Sequence, residues 1–310
     1  MSFFYSKFAH KFVCMNKLSI ITINRNNAAG LRKTIESVLS QTYRDFEYIV
    51  IDGASTDESV DIIRASTLQA RGLDFKWISE PDNGVYQAMN KGIEIASGLR
   101  IVDAFNRSEL VEDKNKGIVR TKGEYCLFLN SGDFLIAPDV IERVMNQCNG
   151  ADILCARCNV SDSGKVVWTS NPPEQITFGT LYTIGLAHQS TFIKRTLFDT
   201  CGLYREDFKY NSDIAFWYKA IIDHHATTQR IDVITTDYNL DGISSKENKS
   251  AQYIHEYDEI LASYDKFIPD YEEWLKERKI LSKYSWVERH TCIRRILVFC
   301  YKMLKHFNQL

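Results

Sequence analysis

The sequence predicts an α/β fold in which a mostly parallel central sheet is flanked by helices. Three observations point there. Compact β-branched apolar runs recur through the first half, windows of helical apolar spacing separate them, and the runs end in short polar loops. Strands alternating with helices imply βαβ units, and ligands of such sheets sit at the carboxyl ends of the strands.

Leu18–Ile23 is apolar and β-branched enough to be a parallel strand buried on both faces. The polar loop Asn24–Gly30 follows, and Leu31, Ile35, Val38 and Leu39 then recur at helical spacing. Phe46–Ile51 is a second strand, closed by the loop Asp52–Asp57, after which Val60, Ile62 and Ile63 open another helix. Phe75–Ser79 is a third strand, Gly84–Ala96 a helix and Tyr125–Leu129 a fourth strand ending in Asn130–Ser131–Gly132–Asp133. Three strand ends thus carry polar loops that converge on one edge. Between Leu99 and Lys122 the rhythm breaks in a charged stretch, read as an inserted surface excursion, a hairpin or a helix. Beyond Asp133, Pro138–Cys148 reads as a helix, and Ile153–Asn159 and Val166–Thr169 as strands.

The bulk properties are those of an ordinary globular chain. Its 310 residues allow one large α/β domain with an appendage, or two domains. A formal net charge of −2 argues against a protein that coats nucleic acid. Eight cysteines are scattered, and the close pair Cys155–Cys158 lacks a second pair at zinc-ligand spacing, so it reads as buried packing in a reducing cytoplasm. No stretch approaches the roughly 20 continuous apolar residues of a membrane span. Met1–Lys17 is too interrupted by Lys7, His10 and Lys11 for a signal peptide. Met15 just before the first strand suggests an appended start, with a short interfacial helix as the competing reading. From Glu256 the chain turns aromatic and helical. Cys292–Lys305 mixes basic and apolar residues, as would a helix on an anionic membrane surface or a core-packed terminal helix.

Five blocks in order carry a family resemblance. They are Ser19–Asn26, Thr34–Tyr43, Tyr48–Asp57, Ser79–Gly92 and Phe128–Asp133. Together they resemble the family 2 inverting glycosyltransferases. The Ser79–Gly92 block is similar to a branch that serves bacterial polysaccharide and lipopolysaccharide assembly. The resemblance covers about residues 17–220. It implies a GT-A fold and transfer of a sugar from a nucleotide-diphosphate-sugar, UDP before dTDP or GDP, to a hydroxyl of a glycan or lipid-linked glycan. The implied domains are a leader (1–16), a GT-A domain (17–245) and a helical extension (246–310). Within the GT-A domain, 17–135 is the nucleotide half with its insertion 99–122, and 136–245 the acceptor half. The implied location is cytoplasmic, with peripheral contact to the inner membrane through the basic C-terminal helix.

Position by position, the resemblance implies that Thr22, Asn24, Asn26, Asp52 and Asp57 hold the nucleoside and that Asp82, with Glu80, stands at the mouth of the site. Lys91 faces phosphate or donor sugar, Ser131 lies on the donor loop, and His188 lines the donor–acceptor junction or assists the metal. Asp133 is the implied ligand of a divalent cation, Mg²⁺ or Mn²⁺. Asp213, in Tyr210–Trp217, is the implied general base that takes the proton of the acceptor hydroxyl. The sequence departs from the family twice. Asn130–Asp133 keeps only the last acid of the usual Asp-X-Asp, and Gln87 stands where the branch often has an acid.

Other readings make different demands. A sugar-nucleotide nucleotidyltransferase needs a Gly-rich phosphate loop after its first strand, and Asn24–Gly30 has one glycine. A Rossmann dehydrogenase fails the same test. A catalytically inactive nucleotide-sugar-binding scaffold is motivated by the thinned acid motif and opposed by the retention of Asp213.

Overall fold

The computed structural model describes residues 18–70, 72–102, 108–110, 123–240, 250–273 and 276. The leader before Leu18 and the basic segment Cys292–Lys305 lie outside the described residues. Described residues up to Tyr257 form one compact unit, and those from Asp258 a second.

The first half follows the expected alternation. Strand β1 (Leu18–Asn24), helix α1 (Ala28–Leu39), β2 (Phe46–Asp52), α2 (Ser59–Gln69), β3 (Asp74–Ser79) and α3 (Val85–Ala96) appear in turn. A short antiparallel hairpin of β4 (Arg100–Val102) and β5 (Ser108–Leu110) opens the insertion, before β6 (Tyr125–Phe128) and β7 (Phe134–Leu135). Helix α4 (Val140–Gln147), β8 (Ile153–Asp162) and β9 (Lys165–Thr169) follow. Next come α5 (Phe178–Thr183), a 3₁₀ turn (His188–Ser190), β10 (Thr191–Lys194) and α6 (Thr196–Cys201). Helix α7 (Ser212–Trp217) runs into a π-helical stretch (Tyr218–Asp223), and β11 (Thr228–Asn239) and α8 (Ala251–Ala262) follow. Where described, the second unit continues with the 3₁₀ turn Asp265–Phe267.

The main sheet runs β3-β2-β1-β6-β10-β8-β11-β7, with β9 on β8. β3, β2, β1 and β6 pair in parallel, as the βαβ reading requires. β10 then pairs antiparallel with both β6 and β8, so the rest of the sheet is mixed. Both β1 and β2 are buried along their whole length, which explains their unbroken apolar runs. One face packs Leu18, Ile20, Tyr48 and Val50 against Leu31, Ile35 and Val38 of α1 and against α2 and α4. Alternation turns Ile21 to the other face, under α3. There Gly92 lies on the Ile21 side chain so closely that an added Cβ would overlap it.

Cys155 and Cys158 sit buried on β8 as free thiols, in line with the packing reading. His224 and His225 are exposed. Among the described residues, no helix is long and apolar enough to cross a membrane.

Candidate active site

The polar loops after β1, β2 and β6 meet, as the sequence implies, at the carboxyl edge of the parallel strands. There a cleft of about 1690 Å³ opens between the loops after β1, β3 and β6 and the segments around His188, Asp213 and Trp168.

Helix α1 fixes the loop that carries Asp133. Thr34, Ser37 and Gln41 recur at helical spacing and turn polar atoms inward. The Thr34 hydroxyl donates to the Asp133 carbonyl at 2.6 Å and accepts from the Gly132 amide at 3.0 Å. Ser37 Oγ accepts from the Leu135 amide, and Gln41 bonds the Ala137 carbonyl and the Ile141 amide. The block Thr34–Tyr43 is therefore the fastening of the Asn130–Asp133 loop. Within that loop Gly132 adopts φ +108°, a conformation that favours glycine.

Of the residues implied by resemblance, Asn24, Asp82, Ser131, Asp133, His188 and Asp213 line the cleft. Asp133 is 8% exposed, and burial pushes its carboxyl up to about 7, opposed by His188 and a hydrogen bond from Gln189. Asp82 accepts from the Gly84 amide and packs against Gly53, where a Cβ would meet its carboxylate. Ser131 accepts from Asn27 Nδ2 at both its carbonyl (2.9 Å) and its hydroxyl (3.3 Å).

Thr22, Asn26, Asp52, Asp57 and Lys91 stand behind or beside the lining, each for a visible reason. Thr22 is fully buried, its hydroxyl paired with Tyr48 Oη at 3.0 Å. Asp52 is also fully buried, and four donors fill its carboxylate: Asn24 Nδ2, the Ser55 amide, Ser55 Oγ and Ser79 Oγ. A base that bonded Asp52 would have to displace one of them. Asn26, at φ +51°, holds the same loop by accepting from the Thr56 amide. Asp57 accepts from the Ala28 and Ser59 amides, and the hydrogen bonds at Ser59 lead in holding its pKa low. Lys91 is buried and spent inside the protein, donating to the Pro81 carbonyl at 2.8 Å and pairing with Glu80 at 2.9 Å.

Helix α3 ties this part of the site to the segment 204–213. Asn90 bonds both the amide and the carbonyl of Tyr204, and Gln87 donates to Glu206 at 2.8 Å. Tyr86 is buried, and its hydroxyl lies 2.6 Å from the Tyr210 carbonyl and 2.9 Å from Asp213 Oδ1. Burial first, and the Asp213 charge next, raise its pKa well above the usual value, so it remains a phenol that donates. His188 approaches the other Asp213 oxygen, with Nδ1···Oδ2 at 3.1 Å. Sequence reasoning gave no role to Tyr86, Asn130, Gln189 or Glu256. Tyr86 lies inside a quoted motif and was findable; Glu256 has no local signal, because only tertiary packing brings it near Asp213.

Whether this lining fits a metal depends on its donor set. Asn130–Asp133 offers one carboxylate. Among the described residues no group of three His, Cys, Asp or Glu side chains could hold a metal ion. One carboxylate fits an ion that arrives with a diphosphate, which would provide most of the oxygens, and does not fit an all-protein cage.

Comparison with known proteins agrees with this fold. Residues 19–102 match the family model described as glycosyl transferase family 2. A PGL/p-HBAD biosynthesis glycosyltransferase of Mycobacterium tuberculosis is 28% identical over 233 residues, covering 71% of this chain and 76% of that one. An uncharacterized glycosyltransferase of Nostoc is 34% identical over 113 residues, covering 31% and 34%. Among solved structures, S. aureus TarS in complex with UDP aligns with TM-score 0.52 at 17% identity, over 72% of this chain and 60% of that one. Its complex with UDP-GlcNAc gives TM-score 0.53 at 16% identity, over 72% and 58%. The alignment thus spans less than two thirds of TarS. The fold is GT-A, and the chain is a glycosyltransferase whose residues 19–102 match the family 2 model.

Proposed function

We propose that the protein transfers a sugar from a UDP-sugar to a hydroxyl of a glycan or lipid-linked glycan acceptor, with inversion, in cell-surface polysaccharide assembly. One observation carries this reading. Asp213 faces the cleft with one carboxylate oxygen held by Tyr86 and the other beside His188, while Asp133 and Ser131 line the same cleft. A carboxylate aimed into the space that adjoins a donor loop suits a base that acts on an incoming hydroxyl.

The steps follow from these positions. The nucleoside lies toward Asn24 and Asp82, with Asp52, Asn26 and Asp57 fixing the loops that shape its pocket. Thr22 supports the strand end beneath, and Lys91 with Glu80 holds the turn that carries Asp82. The diphosphate lies along Asn27, Ser131 and Gly132. A divalent cation, bound with the diphosphate and held by Asp133, would neutralise charge on the leaving group. Asp213 removes the proton from the acceptor hydroxyl as that oxygen bonds to the anomeric carbon, and the bond to the diphosphate breaks. A single displacement inverts the anomeric centre. Trp168 and Ile184, apolar side chains 52% and 62% exposed on the cleft wall, support an acceptor with an apolar part.

The test is calorimetric titration of UDP, dTDP and GDP with and without Mn²⁺, followed by UDP release from a panel of UDP-sugars. Metal-dependent binding of UDP, with turnover that Asp213→Asn abolishes while UDP still binds, is the expected result. Loss of UDP binding in that variant would remove Asp213 from the base role. Absence of turnover with every donor would favour the inactive scaffold.

A further inference from the structure

The segment 209–213 is held from two sides. From α3, Tyr86 reaches the Tyr210 carbonyl and the Asp213 carboxylate. From α8, Glu256 reaches the backbone of the same segment. Its side chain is 3% exposed and accepts three consecutive amides: Lys209 at 2.8 Å on Oε1, then Tyr210 at 2.9 Å and Asn211 at 3.1 Å on Oε2. Gln252 Nε2 adds a fourth donor at 3.1 Å. Asn211 returns the contact, donating its side chain to the Tyr253 carbonyl at 2.8 Å.

The chemistry of these partners selects a carboxylate. Four donors converge on two oxygens, and an ionised carboxylate is the side chain that accepts at both ends and donates at neither. A glutamine would face at least one backbone N–H with its own N–H₂. The three amides are consecutive, so holding them fixes the path of the chain immediately before Ser212 and Asp213. An anchor at residue 256 thereby sets where the residue-213 carboxylate points.

We propose that Glu256 is a positioning residue for sugar transfer. Through the amides of 209–211 it fixes the aim of Asp213 into the cleft, which makes the first half of α8 part of the catalytic apparatus. The inference rests on Asp213 being the base. Glu256 itself touches no substrate. A displacement of about 1 Å in a reacting group can cost on the order of a hundredfold in rate.

The experiment compares the full-length wild type with Glu256→Gln and Asp213→Asn. It measures UDP release from UDP-glucose, UDP-galactose and UDP-GlcNAc, UDP affinity, and amide hydrogen exchange across 205–216. Glu256→Gln should lower kcat by roughly ten- to a hundredfold, hold donor KM and UDP affinity within about twofold, and speed exchange in 209–211. Full activity in Glu256→Gln beside a dead Asp213→Asn would overturn the positioning role and leave the base reading intact. An active Asp213→Asn would overturn the base reading, and this one with it, as would a wild type that turns over none of the donors. A parallel fall of kcat and UDP affinity would also overturn the proposal, because general unfolding moves both. Glu256→Ala, which leaves the amides without any acceptor, should be slower still than Glu256→Gln; a faster Ala variant counts against the anchor.

Discussion

His188 Nδ1 lies 3.1 Å from Asp213 Oδ2, and the other ring nitrogen lies 3.2 Å from Asn130 Nδ2. One imidazole therefore joins the Asp213 carboxylate to the loop that ends in Asp133. If the Asn130 amide donates, Nε2 carries the lone pair and Nδ1–H donates to Asp213, which fixes a neutral tautomer. That arrangement leaves Asn130 Oδ1 buried without a partner. Turning the amide presents Oδ1 to Nε2 and calls for an imidazolium that donates at both ends. In both cases His188 supplies a donor to Asp213. His188→Ala should reduce kcat by about a hundredfold while changing donor KM much less. Steady-state kinetics in donor would check this, and a dominant rise in KM would assign His188 to donor binding.

Asp133 makes the site depend on pH. Its carboxyl is pushed up to about 7 from 3.8, chiefly by burial. The sign follows from proton counting. Between these two values the folded chain without metal holds a proton that the unfolded chain has released. Stability of the metal-free protein therefore falls as pH rises through that window, by at most roughly 1.4 kcal/mol per unit, and levels off above about 7. Asp133→Asn should remove this slope and stabilise the metal-free protein at pH 8, as denaturant melts would detect. A cation needs the ionised form, so Mn²⁺-dependent UDP binding should weaken as pH drops below 7 and approach a tenfold loss per unit. An affinity flat from pH 8 to 6 would remove Asp133 from the metal role.

Much of the fold and part of the site were legible in the sequence, for identifiable reasons. Leu18–Ile23 and Phe46–Ile51 read as buried parallel strands because both of their faces are covered, so their apolar character is continuous. β11 was missed: Thr228–Asn239 alternates polar and apolar residues weakly and carries Arg230, Asp232 and Asp237. The polar residues of α1 were legible only as a resemblance, and their reason lies in the contacts of Thr34 and Ser37 with a loop about a hundred positions away. The same limit applies to the site. Asn24 and Asp133 announce themselves at strand ends. Asp52 does so too, yet no local pattern tells that its carboxylate is filled by four internal donors. Lys91 looked available for phosphate because its partners, Glu80 and the Pro81 carbonyl, lie across a turn. Glu256 was invisible as a site residue, since its partners are backbone amides and any sequence supplies those.

Gly132 offers a test of the donor loop that changes no charge. Its φ of +108° is costly for any residue with a Cβ, and its amide donates to Thr34 Oγ1. Gly132→Ala should cost about 1–3 kcal/mol of stability and weaken UDP binding, because Ser131 and Asp133 flank the distorted residue. A melt and a UDP titration decide the point. A variant with unchanged affinity would show that the loop tolerates another path and that the diphosphate lies elsewhere.

Trp168 bears on the acceptor. It stands on β9, a strand exposed along most of its length and paired only with β8 among the described residues, and lines the cleft, as do Ile184 and Asp213. Its half-exposed indole leaves apolar area in water that an acceptor with an apolar or ring face would cover when it binds. Trp168→Ala should therefore raise acceptor KM by about tenfold, the effect of roughly 1.4 kcal/mol, with donor KM and melting temperature little changed. The measurement needs two acceptors that share one sugar, one bearing a lipid chain and one free. If the lipid-bearing acceptor alone loses affinity, the indole meets the lipid; if both do, it stacks on the sugar. If neither changes, the apolar wall takes no part in acceptor binding, and the acceptor enters from another side of Asp213.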